Sequence, residues 1–140
     1  MARGYLTRRV TFAAAHRYRR PEWDDARNAA TFGLCARANF HGHTYTCDVT
    51  VAGDIDAVTG FVVDLGVLDG VLAREVRERY DHRNINLDVP EFTEGRFIPT
   101  GENLARVIFG QVQAALREVV EVVEVRVAED STLWSSYRGE

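Results

Sequence analysis

HGHTYTCDVTVAG, residues 41–53, is the stretch whose reading decides the fold class. His41, His43, Tyr45, Cys47, Val49 and Val51 alternate with Thr44, Thr46, Asp48 and Thr50. Successive side chains of an extended chain point to opposite faces, so this pattern reads as a half-buried β-strand. The same geometry sets His41 and His43 side by side at one end of the inward face. That is a bidentate platform for a metal, and a pair of polar residues on a solvated strand reads no differently in isolation.

Working outward, Leu6 to His16 alternates in the same way, with Val10, Phe12, Ala14 and His16 on one face. It reads as a strand whose last inward residue is a histidine. Arg17 to Ala38 breaks the pattern and is expected to be a long ordered loop with a helical turn, a length commonly tied to function. GDIDAVTG reads as a turn, and Phe61 to Val63 as the start of a return strand that makes a hairpin with 41–53. Asp64 is placed to cap a helix carrying Leu65, Leu68, Leu72 and Val76 and ending near Tyr80. DHRNINLDVPEFTEGRFIP reads as loop throughout. Thr100 caps a second helix with the stripe Leu104, Ile108, Val112 and Leu116, and VEVVEVRVAE closes the chain as a strand or strand pair with Val123, Val125, Val127 and Glu129 on one face. Strands and helices in this order predict an α+β fold, an antiparallel sheet with two helices on one face. Such a sheet keeps open edges, and closing them between subunits into a larger barrel removes the hazard.

The chain has 140 residues, the size of one ordinary domain, with no internal repeat or linker, so a single domain over 1–140 is expected. A net charge of −4 argues against a general nucleic-acid or membrane-surface binder. All 17 basic residues are arginines, as a GC-rich genome would write. Neither a signal-length apolar run near MARGYLTRRVTF nor a membrane-length one elsewhere is present, so a cytoplasmic location is expected. Cys35 and Cys47 are therefore read as thiols.

The chain has four histidines, and three of them, His16, His41 and His43, fall at adjoining ends of two strands. Three histidines without a fourth protein ligand match a catalytic zinc site, which keeps one position open; the alternative is three unrelated imidazoles in satisfied hydrogen bonds. Cys35, in the loop ahead of His41, reads as a base or nucleophile beside a cation, or as an inert small residue. Cys47 reads as a buried small hydrophobe. Asp81 and His82 pair a carboxylate with an imidazole, the arrangement that tunes proton transfer. Glu129, ending an apolar face, is either a carboxylate at an exposed strand end or an acceptor for the paired N–H donors of a guanidine-like ligand.

Taken in order, FAAAHR, FGLC, HGHTY, VAGDIDAVTGFVVDLGVL, DHRNINLDVPEF, PTGENLA, VRVAED and YRGE resemble the 6-pyruvoyl-tetrahydropterin synthase family, which includes the bacterial 6-carboxytetrahydropterin synthases. The resemblance implies a four-stranded antiparallel sheet with two helices, assembled as trimers into a barrel and stacked as a homohexamer with the site between subunits. It implies zinc on His16, His41 and His43, Cys35 as proton-abstracting base, and Asp81 with His82 as proton relay. Glu129 would anchor the pterin ring, helped by the backbone at Thr100 and Gly101. The implied reaction is conversion of 7,8-dihydroneopterin triphosphate to 6-pyruvoyl-tetrahydropterin with loss of triphosphate. The alternatives are the 6-carboxy reaction of queuosine biosynthesis, which also releases acetaldehyde, and a zinc protein that binds pterin without turnover. The five residues between Cys35 and His41 resemble the pyruvoyl enzymes. Arg17, Arg19 and Arg20 are candidates to hold the triphosphate. Departures from the family pattern are Gly101, where Thr or Ser is common, and Asp130, which follows Glu129 in place of Thr.

Overall fold

β1 (Arg3–His16) and β2 (His41–Asp54) pair antiparallel along their whole length, from Arg3 opposite Asp54 to His16 opposite His41, in a computed structural model that describes residues 1–140. The inward faces carry Val10, Phe12 and Ala14 against Tyr45, Cys47, Val49 and Val51, all buried. The outward faces stay polar, joined by pairs such as Thr7 with Thr50 and Arg9 with Asp48. Register is fixed because a one-residue slip would turn every apolar side chain to water.

β4 (Glu121–Asp130) pairs antiparallel with β2 on its other side, and β5 (Leu133–Tyr137) pairs with β4. These four strands are the expected antiparallel sheet. A two-residue strand, β3 (Arg83–Asn84), lies parallel to the end of β1 and gives the order β3-β1-β2-β4-β5, an open sheet with two free edges. β4 is not a simple alternation. Its register with β2 jumps from Glu124 opposite Thr50 to Val122 opposite Val51, so Val122 rather than Val123 enters the core.

Residues 61–63 do not form the expected return strand, and the hairpin partner of β2 is β1. The Asp56 carboxylate accepts from Val58 N–H, Thr59 N–H and the Thr59 hydroxyl, which winds the chain tightly. Asp64 then caps α2 (Leu65–Leu72) by accepting from Gly66 and Val67, so no length remains for a strand. The helix continues through a π-turn (Ala73–Arg77) into α3 (Glu78–Tyr80), reaching Tyr80 as expected. The stretch read as loop holds β3, α4 (Ile85–Asp88) and a 3-10 turn (Pro90–Phe92), because Asn84 caps α4 and Pro90 starts the turn with its fixed φ. α5 (Gly101–Leu116) has Thr100 Oγ1 accepting from Asn103 N at 3.1 Å and buries Leu104, Ile108, Val112 and Leu116. Leu68, Leu72 and Val76 of the helix capped by Asp64, and the whole α5 stripe, join one cluster of 25 buried residues with the inward strand face. Leu65, the first residue beyond the Asp64 cap, stays exposed to solvent rather than completing the expected stripe. Phe12 stacks between Tyr45 and Tyr80 at 4.9 and 5.3 Å, and the histidine end of the strands lies just beyond them. No helix is long and apolar enough to cross a membrane.

Candidate metal centre and active site

The pairing of His16 with His41 puts two imidazoles on adjacent strands at one level, and His43 lies opposite Ala14, whose small side chain leaves the space that a third ring fills. Ring centroids are 4.6 Å apart for His16 and His41, 5.2 Å for His16 and His43, and 5.1 Å for His41 and His43. One nitrogen from each lies within 4.8 Å of the others. That geometry can hold a metal ion.

The hydrogen bonds fit such an ion. Nδ1 of His16 lies 2.8 Å from the carbonyl of Pro99, which can only accept, so Nδ1 carries the proton and Nε2 keeps its lone pair. Metal-binding histidines are ordinarily fixed in this way through the other nitrogen. Nε2 of His43 is buried and has no hydrogen-bond partner, with the nearest carboxylate oxygen, from Glu129, at 3.8 Å. A buried unpartnered nitrogen costs stability unless something binds it. Burial lowers the pKa of His41, and the neighbouring His43 lowers it further. The unprotonated rings are the ligand form.

His16, fully buried, has its pKa lowered from 6.5 to about 4, chiefly by loss of water. The unfolded chain therefore takes up a proton as pH falls through 6.5 while the folded imidazole stays neutral. Stability carried by His16 is complete above that pH and is lost progressively toward pH 4, by about 3 kcal/mol. Chelated protein should show this slope in urea unfolding between pH 7.5 and 4.5 (about 3 pH units, spanning the shift). A His16→Asn variant with the same slope would remove the assignment.

Cys35 sits in a 3-10 turn (Gly33–Ala36) that follows α1 (Asp25–Phe32), so the long loop is more helical than the single turn expected. Its carbonyl accepts from Tyr18 N–H at 2.8 Å. Its thiol is half-buried and free, outside the three-nitrogen cluster, and burial followed by the charge of Glu129 raises its pKa. Cys47 is buried, with its pKa pushed up to about 12 by loss of water, which matches an inert core thiol.

Glu129 occupies a second bulge in β4, where Ala128 faces Trp134 and Asp130 faces Leu133, leaving Glu129 without a cross-strand partner. Bulges re-aim a side chain. Here the carboxylate turns toward His43 and accepts a 3.1 Å hydrogen bond from the Tyr18 hydroxyl. Asp130 is committed to the following turn, where Oδ1 accepts from Thr132 N, Thr132 Oγ1 and Leu133 N. Gly101, buried at the start of α5, has Ser135 so close that an added Cβ would lie 2.9 Å from its Oγ. The departure at Gly101 thus accompanies a close approach of β5.

Asp81 and His82 form a pair, Oδ2 to Nδ1 at 2.9 Å, and Asp81 also accepts from Ala13 N–H, which holds its carboxyl below the usual range. The backbone N–H of His82, in the left-handed region at φ 59°, donates to Ala13 O at 2.7 Å. The pair is apart from the rest of the site. The His82 side chain is 84% exposed, and no hydrogen bond or ion pair joins either residue to the three histidines, Cys35 or Glu129. Of the candidate arginines, Arg19 is paired with Asp25 at 3.0 Å and Arg20 with Glu22 at 2.6 Å, whereas Arg17 lies over the Phe40 ring without a carboxylate partner.

Sequence reasoning missed Tyr18 and Tyr45. Tyr45 is buried with its hydroxyl 3.1 Å from Nδ1 of His16. Tyr18 stands two residues beyond His16, so the period-two rule extended past the strand would have put it on the same face.

A family model described as 6-pyruvoyl tetrahydropterin synthase matches residues 5–140. The chain is 38% identical over 135 residues to a 6-pyruvoyl tetrahydrobiopterin synthase of Drosophila melanogaster, covering 96% of this chain and 79% of that one. It is 39% identical over 111 residues to a 6-carboxy-5,6,7,8-tetrahydropterin synthase of Bacillus subtilis, covering 76% and 71%. The solved structure of Caenorhabditis elegans 6-pyruvoyl tetrahydropterin synthase has a TM-score of 0.92 at 31% identity, covering 100% of this chain and 98% of that one.

Proposed function

The chain belongs to the 6-pyruvoyl tetrahydropterin synthase family, and from that premise we infer that it is a zinc-dependent lyase acting in the cytoplasm on 7,8-dihydroneopterin triphosphate, with 6-pyruvoyl-tetrahydropterin and triphosphate as products. The carrying observation is the convergence of one imidazole nitrogen from each of three histidines within 4.8 Å, at a place where His43 also has a buried Nε2 lacking any hydrogen bond. We read all 140 residues as one domain serving that site.

His16, His41 and His43 would hold the ion. When bound, zinc supplies positive charge and Lewis acidity, which acidify a C–H beside the substrate's side-chain oxygens and favour the thiolate of Cys35. Cys35 removes that proton. Glu129 holds the pterin by accepting from its 2-amino group and N3–H, a paired geometry that fixes the ring against the base. The backbone at Thr100 and Gly101, at the start of α5, lines the other side of the ring. Arg17, free of carboxylates, is the arginine available to the triphosphate.

Asp81 and His82 return protons to the product. The exposure of His82 at the β1–β3 edge, with Asp81 part-buried behind it, supports a role toward the site of a neighbouring copy. The two free sheet edges support assembly into a barrel, and a homohexamer of two trimers is the form we propose. Beyond further copies of the chain, the partner we propose is the small pterin triphosphate.

The test is incubation of zinc-loaded protein with dihydroneopterin triphosphate and identification of the products by mass. One triphosphate per 6-pyruvoyl product is expected. The likeness to the Bacillus protein favours a second reading, in which acetaldehyde and a 6-carboxy product appear instead. Zinc and pterin binding with no turnover would leave a binding protein.

A further inference from the structure

We propose that Tyr18 is a positioning residue for ligand selection: its hydroxyl sets the carboxylate of Glu129 so that the remaining lone pairs meet the paired N–H donors of a pterin. This rests on reading Glu129 as the pterin anchor. Glu129 lies at a bulge, so no cross-strand neighbour in β5 fixes its backbone, and the only hydrogen bond of its carboxylate is the 3.1 Å one from Tyr18 to Oε1. A carboxylate offers about four acceptor sites, and Tyr18 fills one while the others stay free for the ligand.

Tyr18 is itself locked in place. Its ring meets His16 edge-on at 5.1 Å and Phe32 at 5.9 Å, and its backbone N–H donates to Cys35 O at 2.8 Å. One residue therefore ties the turn carrying Cys35 to the bulge carrying Glu129. A support whose own rotamer is fixed by packing preorganises the group it holds, and this lowers the ordering cost when the ligand arrives. The hydroxyl and the backbone N–H are separable: Tyr18→Phe removes the hold on Glu129 and keeps the one on Cys35.

The experiment is a double-mutant cycle on zinc-loaded protein, with the affinity for pterin (2-amino-4-oxopteridine) read by quenching of its fluorescence. Tyr18→Phe should weaken binding about 5- to 10-fold, less than the full worth of a charge-assisted hydrogen bond because the carboxylate itself remains to meet the ligand. Glu129→Ala should weaken it further, and the double variant should be no weaker than Glu129→Ala alone, because Tyr18 acts through the carboxylate and alanine leaves its hydroxyl nothing to hold. Effects that multiply in the double variant assign Tyr18 a merely structural role and overturn the proposal. So does a Tyr18→Phe protein that binds like the parent while Glu129→Ala weakens. Unchanged pterin affinity in Glu129→Ala removes the anchor reading itself, and the proposal with it. Phenylalanine keeps both ring contacts, so folding is preserved; Tyr18→Leu in the same cycle repeats the test without the ring.

Discussion

His43→Ala is expected to leave the protein without zinc. After loading and dialysis the parent should hold one ion per chain (~1) and the variant close to none, with metal affinity down by more than about 100-fold and triphosphate release lost with it. The basis is the geometry of the cluster, in which each histidine gives one nitrogen and no cysteine or carboxylate joins them. Two remaining nitrogens make a weak site. In the chelated protein the same variant should cost less than an ordinary truncation of a packed ring, because the loss of packing against His16, His41 and Tyr45 is offset in part by relief at one nitrogen. Nε2 of His43 is buried with no hydrogen-bond partner, so its loss removes an uncompensated polar atom from the fold. Adding zinc should stabilise the parent, and that increment should be absent from the variant. Zinc content would be measured by atomic absorption and unfolding by calorimetry, with and without chelator. A variant that still holds a full equivalent of zinc would end the three-histidine assignment.

Cys35→Ala should give the opposite combination, an inactive protein with its metal and ligand binding intact. Removing a proton-abstracting group costs about 10²- to 10⁴-fold in turnover, and the thiol lies outside the three-nitrogen cluster. Half-buried, with a pKa raised by burial and by Glu129, this thiol is a poor base until positive charge stands beside it. Turnover by the parent should accordingly require loaded metal, whereas pterin binding through Glu129 should be much less sensitive to it. The measurements are triphosphate release, zinc content and pterin fluorescence on the same preparation. Loss of zinc in Cys35→Ala would make the thiol a fourth ligand and the centre structural. Retained turnover would transfer the proton to another group.

The elements that alternation and capping describe were legible in the chain. The strand from His41, the strand ending at His16, the cap at Thr100 and the stripe Leu104–Ile108–Val112–Leu116 all follow from side-chain periodicity and short-range hydrogen bonds, which depend on near neighbours in sequence. The expected return strand at 61–63 failed for an equally local reason. Asp56 and Asp64 each bind backbone N–H groups a few residues ahead, and between them they consume the segment as turn and helix cap. The polar stretch after Tyr80 read as loop because its strand and helices are two to four residues long, too short for a period to be seen.

What the sequence determined by itself was the α+β class with its long strands and two capped helices, and the three histidines as a possible ligand set, since strand spacing alone brings His41 and His43 to one face. Only the tertiary structure decided that His16 stands opposite His41, that Ala14 leaves room for His43, and that Pro99 fixes the His16 tautomer. Those are contacts between residues far apart in the chain, set by strand register and helix docking. Glu129 belongs with them. Alternation predicts its face, but a bulge in β4 decides where its carboxylate points, and a bulge arises from a mismatch between two strands that neither strand shows alone. The separation of Asp81 and His82 from the cluster has the same origin, because His82 and Asp81 are held at the β1 edge by Ala13, sixty-eight residues away in sequence for Asp81.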